Sequence, residues 1–272
     1  MALAGVASAE VELLYGYNFN TALSNLTDTS TLTNLGTGTT SIGVTPATGD
    51  AAGSLATSST KFGSSGNGSY ITNANRMISI QDANGIGADT TDGFALTFNF
   101  RVQSTSVWKN AAMFKIGTTA YTLQVGDGQK SMFLFQGSTV SEGAVALASV
   151  RGTTANDWYT IVLNATSASL TLNMYSSGDT PALVDSKTHS FASPVTDELT
   201  LFQQGGTDRF DSNVRVDNFG VYNGVLSNVM AIDLIKYEKT NGTLKAKLVP
   251  EPTAATLSLL ALAGLAARRR RK

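Results

Sequence analysis

Phe94–Val102 is the stretch that most narrows what this chain can fold into. Phe94, Leu96, Phe98, Phe100 and Val102 alternate strictly with Ala95, Thr97, Asn99 and Arg101. Successive side chains of an extended strand point to opposite faces, so five large apolar groups line one side. A single strand cannot keep such a face dry; a second sheet has to cover it. Shorter runs of the same kind recur along the chain. Val11–Asn20 sets Val11, Leu13, Tyr15, Tyr17 and Phe19 on one face, and Asn67–Ile80 holds one or two strands. Further strands are expected at Ala111–Ile116, Tyr121–Val125, Met132–Gln136, Ala144–Val150 and Trp158–Asn164. Ser169–Tyr175, Leu183–His189, Leu199–Gln203 and Val214–Tyr222 continue the series. Turn formers such as Gly126-Asp127-Gly128 and Ser177-Gly178-Asp179 separate them. Only Ser227–Tyr237 reads as a helix, with Ser227 as N-cap and Met230, Leu234 and Tyr237 at helical spacing. The pattern predicts an all-β fold: a two-sheet antiparallel jelly-roll sandwich, one short C-terminal helix, then a hydrophobic tail helix.

The chain ends with three parts in fixed order. Pro250-Glu251-Pro252 cannot continue a helix and holds the backbone extended. Ala254–Ala267 is almost wholly small or aliphatic, and Arg268, Arg269, Arg270, Arg271 and Lys272 close the chain. As a helix the apolar part is roughly 21 Å long, short against a hydrocarbon thickness of about 30 Å. The five cations resist translocation and act as a membrane stop, leaving everything before them outside. At the other end, Ala7-Ser8-Ala9 fits the small-residue cleavage pattern of a signal peptide. The basic start and long apolar run of such a peptide are missing, so residues 1–9 are expected to be its remnant, or else a plain leader.

Charged residues make up 14% of the chain and there is no cysteine, which removes disulfides and thiolate metal sites. Without Glu251 and the tail, 14 basic residues face 19 acidic ones. An acidic body of this kind does not suit nucleic acid.

The tripartite tail resembles the PEP-CTERM sorting signal of Gram-negative bacteria, on Val249-Pro250-Glu251-Pro252, the apolar segment with Gly264, and the terminal basic cluster. The resemblance implies a partner, an exosortase-type transpeptidase that cuts near the motif. It also implies export through the inner membrane to the cell surface or the medium. A second resemblance covers roughly Glu10–Tyr237. Gly93–Val102, Asn156–Asn164 with Trp158, and VRVDNFGVYNGVLSNVMAIDLIKY at Val214–Tyr237 are similar to concanavalin A-like, laminin-G-like domains. The expected organisation is therefore a signal remnant at 1–9, a sandwich at 10–240, a linker at 241–249 and a sorting signal at 250–272.

Chemistry inside the sandwich is sparse. His189 is the only histidine, and no Glu-x-Asp-x-Glu run supplies the facing carboxylates of a sandwich glycosidase. The chain is expected to be non-catalytic. Asp208, Asp211, Asn213 and Asp217 form an oxygen-rich cluster that suits a structural calcium ion, or else caps turns and faces water. The resemblance adds that related sandwiches often use the aspartate at the place of Asp217 for calcium. Polysaccharide binding would use an exposed ring. Trp108 is the candidate, with Tyr121, Gln203, Asp208 and Arg209 sharing its surface, or else Trp108 plugs the sandwich end. The expected role is glycan or matrix binding at the cell surface, with a purely structural envelope or exopolysaccharide-layer protein as the alternative and a glycoside hydrolase as the third reading.

Overall fold

A computed structural model describes residues 10–18, 31–32, 34–38, 42–46, 57–58, 62–63, 69–71, 76–79, 93–102, 109–117, 119–126, 131–136, 145–151, 157–190, 199–201 and 214–249. The early strands are β1 (Val11–Tyr17), β2 (Thr31–Leu32), β3 (Ile42–Pro46), β4 (Thr57–Ser58), β5 (Ser69–Ile71) and β6 (Arg76–Ser79). The central ones are β7 (Phe94–Val102), β8 (Lys109–Ile116), β9 (Thr119–Gly126), β10 (Ser131–Gln136), β11 (Val145–Arg151) and β12 (Trp158–Ala165). Then follow β13 (Ser169–Ser176), β14 (Ala182–Ser190), β15 (Leu199–Leu201), β16 (Val214–Tyr222), the helix α1 (Asn228–Asn241) and β17 (Lys247–Leu248). The hydrophobic tail helix expected at the C-terminus lies outside the described residues. Among those described, no helix is long and apolar enough to cross a membrane.

Every described strand pair is antiparallel. One sheet runs β14-β13-β12-β7-β16-β1-β17, with β5 on β16 and β4 on β5. A second runs β11-β10-β9-β8-β15, and β2-β3-β6 form a small third. The two large sheets enclose the main core. Phe94, Leu96, Phe98 and Phe100 all point into it and are at most 1% exposed. Facing them from the second sheet are Phe114, Tyr121, Leu123, Met132 and Leu134. This is the jelly-roll sandwich that the alternation predicted.

The opposite face of β7 is just as dry, which alternation alone does not show. Ala95, Thr97 and Asn99 are buried because α1 lies over this side of the sheet. Met230, Ala231, Leu234 and Ile235 join Val162, Tyr175 and Tyr222 in a second core. Ser227 caps the helix as expected, its hydroxyl accepting from Met230 N. Asn164 clamps the preceding residue from both sides, donating to the Leu226 carbonyl and accepting from its N–H, each at 2.9 Å. Gly242, in the left-handed region at φ 65°, ends the helix four residues beyond the predicted stop.

Two β-bulges decide which side chains enter which core. β1 was expected to present Val11, Leu13, Tyr15 and Tyr17 on one face. Its register shifts between Leu13 and Tyr15, and the extra residue turns the strand over. Val11 and Leu13 therefore pack under α1, while Tyr15 and Tyr17 enter the core between the sheets. In β16 the shift lies between Asp217 and Gly220, with Asn218 at φ 48°. That bulge lets Val216 and Val221, five residues apart, share the inter-sheet core.

The stretch 241–249, expected as a linker, is built into the fold, because its leucines have an apolar groove to fill. Leu244 and Leu248 are buried in the second core. Ala246 accepts from Leu13 N at 2.9 Å, Leu248 pairs with Val11, and Tyr222 donates its hydroxyl to the Lys245 carbonyl. Lys247 sits between Glu10 and Glu12 at 3.2 and 2.8 Å on the surface.

Phe98→Ala is expected to lower unfolding free energy by about 3–5 kcal/mol, as ring removal does in a packed core. A urea titration measures it, and a loss below about 1 kcal/mol would place Phe98 outside the core.

Candidate functional site

Most residues singled out in the sequence lie outside the described residues: Trp108, Gln203, Asp208, Arg209, Asp211, Asn213, the motif Pro250-Glu251-Pro252 and the cations Arg268–Lys272. Tyr121, Trp158 and Asp217 are placed. Tyr121, expected on a ligand surface, points inward instead. Its ring stacks on Phe114 at 5.3 Å, because odd residues of β9 face the core. Trp158 lies at the margin of the helix-side core, edge-on to Phe62 at 5.7 Å.

The outer face of the second sheet carries a polar and aromatic surface that the sequence reading missed. β9 and β10 alternate, so Thr122, Gln124, Phe133 and Phe135 point away from the core. Gln124 stands opposite Phe133, and Phe133 opposite Ser149 on β11. Thr122 faces Phe135 on the next rung, and Ser131 faces Arg151 on the rung to the other side of Phe133. The Phe133 and Phe135 rings are 5.8 Å apart and within 24° of parallel. The middle of this face is buried at Thr122, Gln124, Ser131 and Phe135. Phe133, Lys115 and Ser149 are half-buried, and Arg151 is exposed. Of the two rings only Phe133 is partly open, beside the half-buried Ser149; Phe135, Thr122, Gln124 and Ser131 are covered. The signal was in Ser131–Gln136: SMFLFQ reads as one apolar run, and only its pairing with TLQV splits it into two faces.

Asp217 sits in the other polar cluster, beneath α1. Its carboxylate is turned inward and 3% exposed. Oδ1 accepts from Asn218 N at 2.8 Å and Oδ2 from Phe62 N at 3.1 Å. The Asp217-Asn218 pair thus shapes the β16 bulge and ties down the loop at Phe62 and Gly63. Gly63, at φ 78°, has no room for a Cβ, which would stand 2.3 Å from the Lys239 carbonyl oxygen. With both oxygens of Asp217 already taking N–H donors, a calcium ion there would have to use the remaining lone pairs. Among the described residues, no three His, Cys, Asp or Glu side chains gather around a point.

Glu238 completes the cluster and was not foreseen. It follows Met230 and Leu234 at four-residue steps, so it falls on the buried stripe of α1. Asn99 donates to its Oε2 at 2.6 Å, and Thr160 donates in turn to Asn99 Oδ1. Glu238 Oε1 and both polar side-chain atoms of Asn218 close no hydrogen bond, although Asn218 stands against the carboxyl and favours its charged form. Burial pushes the Glu238 carboxyl well above the ordinary glutamate range, and the nearby Asp217 adds to the rise. Burial likewise lifts Asp217 to about 7, against the pull of its two N–H donors. Arg101 and Arg215 occupy the neighbouring rung of β7 and β16.

A carboxyl whose folded pKa is raised stabilises the fold fully below its unfolded value and loses that contribution as pH rises. Asp217 loses its share between about pH 4 and 7, with Glu238 following. Melting in chelating buffer should therefore weaken from pH 5 to 9. Glu238→Gln, neutral at every pH, should melt higher than the parent at pH 8–9 and show a flatter profile. A parent profile flat across this range would show that the pair carries no buried proton.

No protein-family model matches the chain, and no curated protein matches it. Its fold is shared with solved structures. Domain 4 of AbnA, a GH43 extracellular arabinanase from Geobacillus stearothermophilus solved with arabinotriose, superposes with a TM-score of 0.55 at 14% identity. That match covers 83% of this chain and 98% of the arabinanase domain. The receptor-binding domain of botulinum neurotoxin C/D mosaic serotype matches with a TM-score of 0.53 at 11% identity, and that of serotype G with 0.52 at 11%. Each covers 83% of this chain, which spans 51% of the toxin domain's length. At such identities the likeness is one of architecture: the chain has the jelly-roll β-sandwich fold of these domains.

Proposed function

We propose that this chain is an exported, non-catalytic surface protein that binds glycan across the outer face of its second sheet. The observation that carries this is Phe133, half-buried beside Phe135 and opposite Gln124 and Ser149, on a face that takes no part in the inter-sheet core. A partly open ring beside polar groups offers a sugar ring a face to stack on. Two further points support the reading. The same fold serves an arabinanase domain solved with arabinotriose and the receptor-binding domains of neurotoxins. The tail also has the form of a surface-sorting signal. Arabino-oligosaccharides are therefore the first probes, followed by a general glycan array. Phe133→Ala should weaken binding about tenfold or more with little change in melting, since the ring is not in the main core. No binding to any glycan by the parent protein would sink the proposal.

A purely structural envelope protein is the second reading. It is favoured by the burial of the aromatics: every described ring is buried or half-buried, and none is fully exposed.

The sorting part has its own test. The described fold ends at exposed Val249, one residue before Pro250. Processing near the motif would leave Leu244 and Leu248 in place and the sandwich intact. Mass spectrometry of the mature protein should show a loss of about 2–3 kDa at the C-terminus. Replacing Pro250, Glu251 and Pro252 by alanine should retain the full-length chain in the inner membrane. Recovery of chains ending at Lys272 from the native cell surface would refute sorting by cleavage.

A further inference from the structure

β14 is the terminal strand of the large sheet, and among the described residues no strand pairs with its outer edge. Such an edge presents N–H and C=O groups that can pair with another chain. β14 is nine residues long and mostly exposed, including the aliphatic side chains of Leu183 (42%) and Val184 (39%).

Proteins commonly protect an edge of this kind with a lone lysine, which repels its own image when two copies approach. Lys187 is not alone. Asp185, two residues earlier on the same face, has its Oδ1 3.3 Å from Lys187 Nζ. Its carboxylate is held in position by Arg151 N at 3.0 Å and Ser186 N at 2.8 Å. Asp185-Ser186-Lys187 therefore reads as its own complement. When two antiparallel copies meet about a two-fold axis through Ser186, Asp185 stands opposite Lys187 of the second copy. Lys187 stands opposite Asp185, and Val184 opposite Thr188. Opposite charges directly across an antiparallel pair attract, and here four charges alternate in sign around a square.

We propose that β14 is a homodimer interface, in which two copies pair antiparallel about Ser186 and join their large sheets into one. The symmetry is isologous, so it closes at two copies and builds no filament. The register shift at Val184 takes the strand out of step beyond Asp185, which keeps the paired segment short. The dimer is accordingly concentration-dependent.

Sedimentation equilibrium on the full chain, with detergent if the tail is retained, tests this. The parent's mass should rise toward twice the monomer value with concentration, less so at high salt. Lys187→Glu sets two carboxylates against each other and should raise the dimer Kd about tenfold or more. Lys187 is exposed, so the variant should keep the parent's melting temperature. Asp185→Lys should also be monomeric alone, but a 1:1 mixture of the two variants should dimerise again. Should Asp185→Lys fail to fold, the parent and Lys187→Glu decide. A parent monomeric into the high micromolar range overturns the proposal. So does a dimer that Lys187→Glu leaves unchanged, since it would use another surface.

Discussion

Burial of both faces of β7 is the constraint on which the rest of the architecture depends. Phe94, Leu96, Phe98 and Phe100 need a sheet against them, and β8–β11 with β15 provide it. Ala95, Thr97 and Asn99 lie on the other face and are equally dry, so something must cover them too. The cover is α1 with the returning segment Gly242–Leu248. A strand buried on both sides sits at the centre of its sheet, and β7 does, between β12 and β16.

Dryness on the helix side sets the chemistry there. Asn99 and Thr160 cannot face water, so Thr160 donates to Asn99 and Asn99 to Glu238. A carboxyl that joins such a network away from solvent is held toward its neutral form. Asp217 shares the site but has a different task, gathering the N–H groups of Asn218 and Phe62. The Asp-Asn pair that marks this strand in sequence thus serves first as the hinge of a β-bulge.

The surfaces proposed to act meet at Arg151, whose N–H bonds Asp185 of β14. The glycan face belongs to the second sheet. β14 and β17 occupy opposite ends of the large sheet, and at β17 Val11 pairs with Leu248. Sheet pairing at β14 would therefore lie at the end of the sheet away from Val11 and Leu248. A dimer so joined would present two copies of the Phe133 face, and two weak sugar contacts on one surface reinforce each other through effective concentration.

Period-2 alternation was enough to predict the strands, the two-sheet architecture and the inward turn of Phe94–Phe100, because side-chain direction in a strand is a local property. Ser227 likewise announced the helix start, since capping involves only neighbouring residues. The tail's tripartite form is also written in sequence alone, as its three parts follow one another along the chain. Tertiary structure decided what depends on residues far apart. The β1 bulge that sends Leu13 and Tyr15 into different cores is seen only in the pairing with β16. Glu238 is buried because α1 lies on a sheet face that alternation marks as the polar one. Tyr121, expected on a ligand surface, lies in the core for the same reason: the strand pattern separates two faces, and only the packed partner determines which of them is inside.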